Sequence, residues 1–124
     1  MHSLLLLKVG IFYALLSLSA VQSKIISTNL FLVEFGTFNA TNMICFDKEI
    51  LKFASSPKSF VFNNPSAKNI TYIKVEQLQQ RLGGIAASIT NGAIGTTSVT
   101  LQVSAAQDGK LFLGDVEITM MCVS

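Results

Sequence analysis

The residues of this sequence equipped to do chemistry are few. Its one histidine is His2, at the very start of the chain. If the first residues are removed as a leader, no imidazole remains, which excludes Ser-His-Asp and Cys-His catalysis and histidine-ligated zinc. Cys45 and Cys122 are the only two cysteines, too few without histidine for a structural zinc site. No Asp-x-Asp-x-Asp-Gly loop is present for calcium. Two carboxylate pairs stand two residues apart, Asp47 with Glu49 and Asp115 with Glu117, and each would share one face of an extended strand. A glycosidase acid and nucleophile need such groups roughly 5–10 Å apart with split pKa values. Solvated charge on the outer face of a strand is the simpler reading. The serines offer no local signature for a Ser-Lys dyad. The expectation is a protein that is not an enzyme and needs no metal or cofactor.

Other motifs carry chemistry of a different kind. Asn39-Ala40-Thr41 and Asn69-Ile70-Thr71 match the Asn-x-Ser/Thr acceptor pattern, whereas Asn64-Pro65-Ser66 is excluded by its proline. Asn39 and Asn69 are therefore the candidate glycan sites. The stretch GGIAASITNGAIGTTSVTLQV contains Gly83, Gly84, Gly92 and Gly95. Neither the P-loop spacing nor the dinucleotide fingerprint is met, and the residues after Gly95 have the pattern of a strand, not a helix. Gly83-Gly84 and Asn91-Gly92 read as turn residues at positive φ, with Gly95 allowing a bend. Phe31, Phe35, Phe38, Phe46, Phe53, Phe60 and Phe62 crowd the first half. They are expected to fill a core, the sharper alternative being a pocket for a small apolar ligand.

The segments that would position these residues begin with one to set aside. Residues 1–23 have a start carrying Lys8, an apolar run from Val9 to Leu18 and small residues at Val21 and Ser23. That is the three-part build of a secretory signal. Cleavage is expected after Ser23, with Ala20 as the alternative site and a retained signal-anchor as the alternative fate. Lys8 interrupts the one stretch approaching the ~20 apolar residues of a bilayer span, so no stable span is expected after cleavage. Residues 24–124 then form one small domain. Loss of Lys8 leaves the charge close to balance, with no basic cluster of the kind that marks a nucleic-acid binder. In an oxidising compartment an even cysteine count in so short a chain implies a bridge. A Cys45–Cys122 bond would contribute roughly 4–5 kcal/mol on a chain-entropy model. Buried free thiols and a disulfide-linked dimer are the other possibilities.

The domain itself reads as strands divided by turn chemistry. Residues 29–35 (NLFLVEF) suit a first strand. Residues 39–53 fit either a bulged strand or a short helical turn at their centre. A short strand SFVF lies between Pro57 and Pro65. Residues 69–78 alternate, with Thr71, Ile73 and Val75 on one face and Tyr72, Lys74 and Glu76 on the other. VEQLQQRL (75–82) contains good helix formers but reads as a strand end entering a loop. Val99, Leu101 and Val103 alternate with polar residues, and Val116, Ile118, Met120 and Cys122 share a face. Gln107-Asp108-Gly109 is a hairpin-turn candidate. The pattern predicts an all-β domain, a small antiparallel β-sandwich or barrel of about six or seven strands.

Asn69–Val75, Gly83-Gly84, Ala87-Ser88-Ile89, Gly92, Gly95, Val99-Thr100-Leu101 and Val116–Ile118 together resemble the insect family named for multiprotein bridging factor 2. The resemblance spans Asn69 to Met120, about half of the mature chain. Many members are labelled salivary secreted peptides, and the founding member is a transcriptional coactivator that bridges protein factors without reading DNA alone. Similar chains carry a basic turn before the last strand, where this one has Ser104-Ala105-Ala106-Gln107-Asp108-Gly109; a partner contact made by that turn would be lost. Taken with the leader-like start, the two cysteines, the acceptor motifs and the charge balance, the resemblance leads to two readings of the role. The first is a small secreted, extracellular binding or interaction protein of insect saliva or haemolymph, glycosylated and disulfide-bonded. Its partner would be a protein or a small apolar ligand, with no direct nucleic-acid binding. The second is a transcriptional coactivator that bridges transcription factors.

Overall fold

The computed structural model describes residues 25–28, 30–80, 83–106 and 110–124. The expected leader with its cleavage site, and the turn candidate at 107–109, lie outside the described residues. Eight strands occur among the described residues: β1 (Ile25–Thr28), β2 (Leu32–Gly36), β3 (Met43–Ile50), β4 (Lys58–Asn63), β5 (Ile70–Gln77), β6 (Ile85–Gly92), β7 (Ser98–Ala105) and β8 (Val116–Cys122). Seven have five residues or more; β1 adds a short edge of four. Among the described residues there is no helix, and Val75–Gln77 close β5 before the chain bends away.

All pairings are antiparallel, in two sheets ordered β1-β2-β5-β8-β3 and β4-β7-β6. Among the described residues both sheets keep free edges, so of the two architectures expected the sandwich is the one formed and the barrel is not. Alternation decides which side faces in. On β7, Val99, Leu101, Val103 and Ala105 are buried while their neighbours are half-exposed. On β8, Val116, Ile118, Met120 and Cys122 point inward. With Val33, Phe35, Ile73, Val75, Ile85 and Phe112 they make one continuous core spanning both sheets.

Two bulges correct the simple alternation. In β5 the register shifts between Ile70 and Tyr72. Ile70, in place of Thr71, therefore shares the face of Ile73 and Val75 and is fully buried, while Thr71 is the displaced residue. In β3 the shift falls between Ile44 and Phe46 and leaves Cys45 as the extra residue. The centre of residues 39–53 is thus a bulged strand, not a helical turn. A bulge with Asp47, Lys48 and Glu49 on this outermost strand discourages edge-to-edge pairing with other chains.

The phenylalanines divide more than expected. Phe35 is buried, and Phe46, Phe60 and Phe62 form a half-buried aromatic cluster with ring centroids 5.2 and 6.2 Å apart. Phe38 and Phe53 are mostly exposed, at 60% and 62%. Phe38 lies edge-on over Tyr72 on the outside of the large sheet. Phe53 sits in a turn at φ 72° with the Lys52 ammonium 5.0 Å from its ring centre.

Candidate functional site: the outer face of the five-stranded sheet

The glycines position the sheets. After β5 the chain must cross to the second sheet, and Gly84, at φ +108°, makes that crossing against Leu30. A Cβ there would lie 2.7 Å from the Leu30 carbonyl oxygen, so only glycine fits. Its amide donates to Gln77 Oε1 at 2.9 Å, and its carbonyl accepts from the Ala106 amide. Gly83, Gly92 and Gly95 also have positive φ. The turn holding Gly95 docks back on β5: the Ile70 amide donates to the Thr96 carbonyl, and the Gly95 amide donates to that of Ile70.

Gln77 is a structural residue that pattern reading missed. Its side chain is 1% exposed, accepts from Gly84 and donates from Nε2 to the Gln79 carbonyl. Gly114 packs directly against it. One glutamine thus joins the end of β5, the glycine turn and the approach to β8. In a polar run such as VEQLQQ nothing distinguishes a buried glutamine from an exposed one.

Cys45 and Cys122 are joined by a disulfide with Cα atoms 5.8 Å apart. They lie on neighbouring strands of one sheet, where the bulge at Cys45 sets it diagonally to Cys122. The bond therefore fastens the edge strand β3 to the sheet and does not bridge the two layers. Beside it is a cleft of about 170 Å³ bordered by Met43, Pro65, Lys68 and Val123.

The expected carboxylate pairs separate into different surroundings. Asp115 accepts from the Lys52 amide at 2.8 Å and from Gln79 Nε2 at 3.0 Å, which makes it a loop anchor. Glu117 points outward from β8. Strand register sets it directly between Glu76 of β5 and Glu49 of β3. In the next row Glu34, Lys74, Thr119 and Asp47 lie side by side. The outer face of the large sheet therefore collects five carboxylates, Glu34, Asp47, Glu49, Glu76 and Glu117, around one lysine. Lys74 and Glu76 approach to 3.7 Å. Like charges directly opposite across strands are destabilising, so this row is not arranged for stability alone. Among the described residues no group of three or more His, Cys, Asp or Glu is placed to hold a metal ion.

One end of the same face is apolar. Tyr72 lies beside Met121, and Ile44 and Phe38 are exposed nearby. The Tyr72 hydroxyl donates to Glu34. Burial raises its pKa well above that of a free tyrosine, and the hydrogen bond and negative charge of Glu34 add to the rise. The neutral phenol is what this corner holds.

Asn39 and Asn69 are both exposed, on the β2–β3 connection and just before β5. The Asn39 carbonyl accepts from the Asn42 amide, closing a turn, and the Asn69 carbonyl accepts from the Val123 amide, next to Cys122.

Fold and surface together define a small disulfide-braced β-sandwich with one strongly acidic sheet face. The family model described as transcription activator MBF2 matches residues 35–118, and the chain belongs to that family. No curated protein and no solved structure matches the chain.

Proposed function

We propose that this chain is a small, secreted, non-enzymatic protein-binding module of extracellular fluid, such as insect saliva or haemolymph. The observation that carries the reading is the Cys45–Cys122 bond, because such bonds persist in oxidising compartments and are rare in the cytosol and nucleus. The leader-like pattern of residues 1–23 supports the same route. The outer face of the large sheet, acidic with an apolar end, is the surface offered to a protein partner. Its sign repels phosphate backbones, which speaks against direct binding to nucleic acid. A small apolar ligand is the less favoured partner, since the inward residues pack into one core.

The test is intact-mass analysis of the protein recovered from the medium of producing cells. The expected product starts at Lys24, or at Val21, and has lost two hydrogens to the disulfide. A reduced chain found only inside cells with residues 1–23 intact overturns the reading.

A second reading has its own support in the family match. As the family description states transcription activation, the chain would act as a coactivator that contacts transcription factors through the same acidic face. That role requires an uncleaved start, free thiols and nuclear accumulation. Localisation of the full-length chain separates the two.

A further inference from the structure

We propose that Asn39 is an N-glycosylation acceptor whose first sugar seats in the open, uncharged cleft beside it, an inference that rests on the secretory route proposed above. The Asn39 side chain is exposed, and its Oδ1 accepts from both the Thr41 amide at 3.0 Å and the Thr41 hydroxyl at 2.8 Å. Both bonds use the amide oxygen, and among the described residues no hydrogen bond engages Nδ2, the atom that is glycosylated. The threonine of the acceptor motif is thus already turned onto its own asparagine.

The other two asparagines of this type differ in an informative way. Asn69 is exposed, but the hydroxyl of its Thr71 donates to the Met121 carbonyl at 3.2 Å and accepts from Asn42 Nδ2 at 2.8 Å. In the folded chain that hydroxyl has no free hydrogen for Asn69. Asn64 accepts from the Ser66 amide at 3.0 Å, yet Pro65 bars it as an acceptor and the Ser66 hydroxyl does not join the bond. Among these three, Asn39 alone combines a permitted motif with the amide and hydroxyl both in place.

The seat adjoins it. An open cleft of about 400 Å³ is bordered by Asn39 itself together with Thr37, Asn42, Thr71, Ile94 and Gly95. These offer neutral hydrogen-bonding groups and one aliphatic side chain, with no formal charge. That combination suits the hydroxyls, acetamide and apolar ring face of an N-acetylhexosamine. A Cβ at Gly95 would meet nothing within 4 Å, so this wall is open to a sugar.

The transfer needs a lipid diphosphate-linked oligosaccharide as donor. A bond forms between Nδ2 and C1 of the first N-acetylglucosamine, and the C1–oxygen bond to the lipid diphosphate breaks. The diphosphate leaves with the electron pair, and Nδ2 gives up one proton.

The full chain is expressed in insect cells, and protein from the medium is treated with peptide amidase in heavy-oxygen water before peptide mapping. The side chain of Asn39 is expected as an aspartate carrying heavy oxygen, and N39Q and T41A are each expected to lose the mass of one glycan that N69Q retains. For the seat, N69Q protein trimmed to a single sugar is compared with N69Q protein made while lipid-linked oligosaccharide synthesis is blocked. The trimmed form is expected to melt a few degrees higher. Equal melting overturns the seat. Secreted protein bare at Asn39 overturns the acceptor while leaving the secretory reading intact, and a chain held inside cells with its leader overturns both.

Discussion

The two sheets bury their inner faces in one core yet turn very different outer faces to solvent. The large sheet presents Glu34, Asp47, Glu49, Glu76 and Glu117 with a single lysine, Lys74. The small sheet presents Ser59, Val61 and Asn63 from β4, Ser98, Thr100, Gln102 and Ser104 from β7, and Ala86, Ser88 and Asn91 from β6. None of those outward positions is charged. The inward positions are dictated by burial, since each large apolar side chain removed from water stabilises the fold by about 1.5–3 kcal/mol. Outward positions carry no such constraint, which leaves the two outer faces free to differ this sharply in charge.

The largest expected effects test the shared core. Leu101→Ala in the small sheet and Ile118→Ala in the large one each remove a fully buried side chain. Each should cost about 2–5 kcal/mol in denaturant unfolding. A large loss at one and none at the other would mean that the sheets do not share a core. Removing the disulfide with C45S/C122S should cost roughly 2–5 kcal/mol, and here the sheets should separate. Hydrogen exchange is expected to quicken first in β3, with β4, β6 and β7 the last to change. Equal acceleration in both sheets would break the claim that the bond serves the edge of one.

Smaller effects probe a buried hydrogen bond and then the outer faces. Gln77→Ala leaves the Gly84 amide buried without its acceptor and should cost about 1–3 kcal/mol, read from the shift in the urea midpoint. Glu117→Gln removes the middle charge of the Glu49–Glu117–Glu76 row and is expected to stabilise by about 0.2–1 kcal/mol at low salt. The gain should shrink as salt rises; Thr100→Gln on the uncharged face should show no salt dependence. The last effect is alkaline. Tyr72 keeps its proton in the fold at pH values where a free tyrosine, with pKa 10.0, loses it. Its contribution is complete below pH 10 and is lost as pH rises beyond that through the higher folded value. Wild-type melting temperature should therefore drop more steeply above pH 10 than that of Y72F, and parallel curves would remove the claim.

These differences also explain what was legible in the sequence. β7 and β8 could be read directly, because Val99–Ala105 and Val116–Cys122 alternate under one constraint, burial on one side. The family motif was legible for a similar reason: Gly84 and Gly92 stand where a Cβ would strike backbone oxygen. β5 was read one residue out at its start because a bulge at Thr71 leaves no composition signal. The acidic face was not legible. Its members Glu34, Asp47, Glu76 and Glu117 come from separate strands, and only register makes them neighbours. Asp47 with Glu49, and Asp115 with Glu117, looked alike as pairs in the sequence, but Asp115 turned to hold a loop while Glu117 joined the row. Gln77 escaped notice because hydrogen bonds, not hydrophobicity, keep it inside.

The strand order β1-β2-β5-β8-β3 has a consequence for how the protein is made. Residues 116–122 fill a slot between β5 and β3, both synthesised much earlier. Until Cys122 has left the ribosome, the large sheet is two unjoined pieces with β5 and β3 each holding an open flank. Assembly must wait for the last strand, which then closes the sheet and brings its cysteine to Cys45 in the same event. A chain lacking residues 116–122 would therefore leave both flanks open to a matching strand from another copy.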